Sequence, residues 1–107
     1  MSYSEKLAER VRQALGAEPG LSERKMFGGV GFMVHGNMCC GVLRDDLIVR
    51  VGADSYDRTL TLAHARPMDR PMRGFVQVTA EGTRTSRQLT SWVGKGLEFA
   101  RALPPKS

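Results

Sequence analysis

Between Glu23 and Val51 the apolar residues come in short alternating runs broken by turn-forming residues, a pattern that excludes a long helix here and specifies consecutive antiparallel strands. Three or four strands fit this stretch. Val30, Phe32 and Val34 share one side of a strand, His35, Gly36 and Asn37 reverse the chain, and Met38, Cys40 and Val42 return. That is a hairpin. Arg44, Asp45 and Asp46 form the next polar turn, after which Leu47, Val49 and Val51 alternate with Ile48 and Arg50. A meander is the simplest topology.

The flanking segments change period. Ser2 and Glu5 have capping-box spacing, and Leu7, Val11, Ala14 and Leu15 lie on one face of an amphipathic helix expected over Ser4 to Leu15, with Gly16 as its C-terminal cap. Asp54 is placed to accept from the free amides of a second helix, Ser55 to Ala63. Ala65 to Gly74, with two prolines and three arginines, reads as a loop or a sheet edge, because proline lacks the donor a central strand needs. Phe75, Val76 and Val78 form a further strand, closed by Glu81, Gly82 and Thr83.

Thr85 and Gln88 repeat the capping-box spacing ahead of a last helix with a wide apolar stripe of Leu89, Trp92, Val93, Leu97, Ala100 and Leu103, stopped by Pro104 and Pro105. Gly94 and Gly96 each cost about 1 kcal/mol relative to alanine inside a helix, which implies close packing or a local bend. Trp92 and Phe99 read as core anchors. A stripe wider than the sheet can cover would leave an apolar patch for homodimerisation or a partner. The fold class is α+β in two layers, an antiparallel sheet of about five strands flanked by helices in the order α-β-β-β-α-β-α. At 107 residues the chain, 1–107, holds a single domain.

No apolar run reaches the roughly 18–20 residues that span a bilayer, and the charged N-terminal segment does not read as a secretory signal, so a cytoplasmic protein without membrane association is expected. Cys39 and Cys40 are adjacent, which argues against a disulfide framework. Successive strand side chains alternate, placing one cysteine in the core and the other toward a helix or solvent, with a redox-sensing thiol as the alternative. Neither the cysteines nor His35 and His64 have metal-ligand spacing. Phe27, Gly28, Gly29, Val30 and Gly31 lack the GxGxxG pattern and precede a strand, so these glycines permit a bulge or close packing and no cofactor is expected. No nucleophile elbow is present, and Asp45 and Asp46 read as a solvated turn. The chain is therefore expected not to be an enzyme.

Sixteen Lys and Arg against eleven Asp and Glu give a net charge of +5, and the excess lies late in the chain. Arg66, Arg70, Arg73, Arg84 and Arg87 flank the last strand and are candidate contacts for phosphates or an acidic protein surface; a solvated loop is the other reading.

Arg24, Lys25, Met26, Phe27, Gly28, Gly29, Val30, Gly31 and Phe32, continuing to Gly36, Met38 and the strand Leu47 to Val51, resemble the N-terminal domain of the TfoX/Sxy family, with Met26, Phe27, Gly28, Gly29, Gly31 and Phe32 as the structural motif. The resemblance implies a secretion-chaperone-like fold. It also implies a role like that of DNA-uptake competence regulators and transcription coactivators working with the cyclic-AMP receptor protein. Longer members carry a C-terminal helical domain, and the chain is expected to lack it. The function expected is a non-enzymatic cytoplasmic regulatory or protein-interaction module whose partner belongs to the transcription machinery. The alternative is an accessory nucleic-acid-binding protein using the arginine patch.

Overall fold

The computed structural model describes residues 3–70 and 72–106. Helix α1 (Glu5–Leu15) leads into strands β1 (Leu21–Met26), β2 (Gly29–Val34), β3 (Asn37–Leu43) and β4 (Asp46–Arg50). Helix α2 (Ala53–Thr59), strands β5 (Ala65–Pro67) and β6 (Phe75–Val78), a 3₁₀ turn (Ala80–Thr83) and helix α3 (Ser86–Arg101) follow. The α+β expectation holds, with six strands in one antiparallel sheet of order β1-β2-β3-β4-β6-β5. The meander is therefore β1 to β4. Ala65 to Pro67 takes the edge position its proline allows.

Local chemistry sets the element ends. The Ser4 side chain, rather than Ser2, which lies outside the described residues, caps α1 by accepting from the Leu7 amide at 3.1 Å. Gly16 ends the helix with a positive φ, its N–H bonded to the Arg12 carbonyl. Thr85 and Gln88 close a reciprocal capping box on α3, at 2.9 and 3.1 Å. The second helix departs from expectation. It starts at Ala53 from Gly52, with Asp54 in its first turn instead of at the cap, and ends at Thr59. Gly52 (φ +86) makes the corner, and the Phe99 ring fills the space a Cβ would need there.

Helices α1 and α3 cover one face of the sheet, α3 crossing β2, β3 and β4. Leu7, Val11 and Leu15 from α1 and Leu89, Trp92, Val93, Leu97 and Ala100 from α3 meet Val30, Phe32, Val42, Leu47, Val49, Val76 and Val78 in one apolar interior. Gly96 packs so closely on β3 that an added Cβ would fall on the Cys39 carbonyl, whereas Gly94 faces open space. Between Phe32 and Met33 the β2–β3 register slips by one residue, leaving Cys39 as a bulge. This corrects the alternation expected for the two cysteines. Both are fully buried on the helix side of the sheet.

Outside the core, Arg12 on α1 grips Glu23 of β1 through two hydrogen bonds, at 2.7 and 3.0 Å, and Arg101 of α3 grips Glu18. Both carboxyls are held below their usual range, chiefly by these hydrogen bonds. A depressed folded-state pKa adds stability above the unfolded carboxylate range, and that stability is lost as pH falls through the folded value. Glu23→Gln is thus expected to flatten the acid-side fall of Tm, by an amount within the roughly 0.2–1 kcal/mol of a solvent-screened pair. An acid limb identical to that of the wild type would count against the pairing.

Candidate functional site

The sheet face opposite the helices carries the other half of each strand's alternation. In register across it lie Arg24 and Gly31, Gly41 with Ile48, then Gln77 and Arg66. Met33 and Ile48 are buried yet stand outside the helix-side core. Gly29, Gly31 and Gly41 pave the middle. A Cβ on Gly41 would stand 2.7 Å from the Val30 carbonyl, and one on Gly31 would press on Met26 and Met33. The result is an open apolar trough of about 180 Å³ whose walls include Met26, Phe27, Met38, Leu43, Met68, Met72 and Phe75.

The loop after β5 builds one wall. Asp69 pairs with Arg44 at 2.6 Å, and Arg66 reaches Asp46 at 3.3 Å, which ties down the loop whose Met68 and Met72 line the trough together with Ile48 and Phe75. Gln77, fully buried, donates its amide to Asp46 at 2.6 Å, and among the described residues its Oε1 has no partner. At the far end the Phe27–Gly28 turn joins β1 to β2 with both residues at positive φ, +49 and +80. Asparagine-glycine suits such a turn; a phenylalanine there is strained. Its ring is 95% exposed. Phe27→Asn is expected to raise stability by up to about 1 kcal/mol through relief of that strain, measurable by urea unfolding.

The candidate arginines divide between two places. Arg66, Arg70 and Arg73 lie on β5 and the loop beside the trough. Arg66 spends charge on Asp46 and Asp69, while Arg73 pairs with Asp57 at 3.6 Å and lies over the Tyr56 ring. Arg84 and Arg87 are exposed at the start of α3, in the helix layer, where the Arg84 carbonyl accepts from Arg10. Sequence reading passed over the trough itself. Its signal was the methionine content, six in 107 residues, of which Met26, Met38, Met68 and Met72 are brought together only by strand register and the loop after β5.

His35 sits in the β2–β3 turn against Gly20, and His64 beside Gly82, so the two imidazoles serve separate corners. Among the described residues no three His, Cys, Asp or Glu side chains are grouped to hold a metal. A bowl between α2 and α3, lined by Arg58, Thr59, Lys95, Glu98 and Phe99, is open to solvent. The Cys40 thiol is pushed well above its ordinary range by the neighbouring Cys39 sulfur and by burial. Both thiols are expected to resist a thiol reagent until the protein unfolds; rapid native-state labelling of either would contradict their burial.

The family described as the TfoX N-terminal domain matches residues 5–100 of the 107. The chain belongs to that family. Among the described residues, the match covers the three helices except the last residue of α3, and the six strands. No curated protein and no solved structure matches this TfoX N-terminal domain. Its motif residues now have physical tasks. Phe32 fills the core, Phe27 and Gly28 make the turn, Gly29 and Gly31 let strands and methionines approach, and Met26 lines the trough. No helix among the described residues of this TfoX N-terminal domain is long and apolar enough to cross a membrane.

Proposed function

We propose that this TfoX N-terminal domain is a non-enzymatic cytoplasmic recognition module that acts in transcriptional regulation by binding another protein. The observation that carries this reading is Phe27, an almost fully exposed aromatic ring held in a strained turn at the mouth of an apolar trough. Strain and exposure both cost stability, and a chain retains such a residue where the ring works outside the fold. Of three large exposed apolar side chains among the described residues, Phe27 and Met72 belong to this one face.

Affinity capture from the source cells tests the reading. A stoichiometric complex with one protein, whose masses add in light scattering, is the expected result. Repeated recovery of no protein, with steeply salt-dependent binding to duplex DNA instead, would replace it with the accessory nucleic-acid reading, for which exposed Arg70, Arg84 and Arg87 are the available cations.

A further inference from the structure

We infer that the open face of the sheet seats an acidic amphipathic helix of the partner protein, its apolar stripe in the trough and its carboxylates on the basic rim; this rests on the protein-interaction reading above. Volume narrows the occupant first. A space of about 180 Å³ is below the roughly 300–1,000 Å³ of pockets that enclose whole small ligands, and matches anchoring side chains of a larger body lying across it.

Backbone chemistry narrows it again. The floor of the trough is the face of β2, β3 and β4, strands whose amides and carbonyls are bonded along ladders on both sides. An added segment finds no main-chain partners there, so it must satisfy its own backbone, as a helix does. Methionine walls suit this occupant, since their unbranched thioethers repack around a ridge of leucine or phenylalanine.

Charge selects the sign. Arg24 stands opposite Gly31 on this face, and Arg70 lies between the two methionines of the loop. Arg50 stacks over both Phe75, at 5.4 Å, and Phe99 of α3, at 5.1 Å. Asp46 and Asp69 offset Arg44 and Arg66, leaving the rim positive. A second copy of this chain would set one positive rim against another, and a basic helix would be repelled; a helix rich in Asp and Glu complements it.

The test uses the full chain and three synthetic peptides of roughly 18 residues, five helical turns. The first has leucines on one face and glutamates on the other, the second replaces glutamate by lysine, and the third scrambles the first. Titrations followed by backbone amide NMR should give at least tenfold tighter binding for the first peptide, with shifts at Met26, Phe27, Gly31, Gly41 and Met72. Phe27→Asn should weaken that binding at least tenfold while its Tm rises, a combination that a merely structural Phe27 would not produce. Met72→Asp, at an exposed position, provides the second variant. Equal affinity for the three peptides, or shifts confined to the helix layer, overturns the proposal. So does self-association that Phe27→Asn abolishes, because the occupant is then a second copy. If the acidic peptide fails while the intact chain still captures a protein, this proposal falls and the protein-interaction reading stands.

Discussion

Gly96→Ala is expected to destabilise the protein by about 2–3 kcal/mol, at the upper end of ordinary overpacking, while Gly94→Ala, two residues away in α3, is expected to stabilise it by up to about 1 kcal/mol. The substitutions are chemically identical and opposite in sign. At Gly96 the new methyl lands on the Cys39 carbonyl, a backbone atom that cannot swing aside, so α3 must lift from β3. That displacement loosens Trp92, Val93 and Leu97, which anchor the same helix. At Gly94 nothing lies within 4 Å of the added carbon, and the gain is the conformational entropy glycine loses on folding. Urea midpoints of the two variants measure the difference. Equal midpoints would contradict the close approach of helix and sheet.

Phe32→Ala carries the other large effect. Its ring is fully buried between the sheet and the helix layer, and phenylalanine-to-alanine changes at such sites remove roughly 3–5 kcal/mol, the transfer free energy plus a cavity that only partly collapses. A domain of this size has only about 5–15 kcal/mol to lose, so the variant is expected to unfold at a far lower denaturant concentration or to be partly unfolded at 25 °C. Phe32→Leu, which refills part of the space, should recover more than half of the loss. A Phe32→Ala midpoint near that of the wild type would mean the ring is not in the core.

Local signals made much of the architecture readable. The capping box at Thr85 and Gln88, the glycine cap at Gly16, and the two-residue His35–Gly36 reversal each act within a few residues. β1 was less legible. Its sequence, LSERKM, has four consecutive exposed residues, so an edge strand wetted on both sides shows no alternation. β5 is only three residues long and draws its identity from pairing with β6. The bulge at Cys39 depends on how β3 slides against β2, and it moved a thiol across the sheet relative to simple alternation.

The candidate site was harder still. Gly31 and Gly41 are ten positions apart and become neighbours only through the hairpin register, while Met68 and Met72 arrive from a loop tied down by Arg44–Asp69 and Arg66–Asp46 pairs. The arginine cluster was visible as composition. Its division between the trough rim and the start of α3 was not, because it depends on which layer each arginine joins.

The central claim is that recognition occurs on the open sheet face. Its most direct measurement compares, at equal concentration and with folding verified by circular dichroism, the protein captured from source cells by the intact chain, by Phe27→Asn/Met72→Asp, and by Arg84→Ala/Arg87→Ala. The partner is predicted to disappear from the trough variant and to persist on the helix-layer variant. Retention by the trough variant with loss from the Arg84 and Arg87 variant would contradict the account.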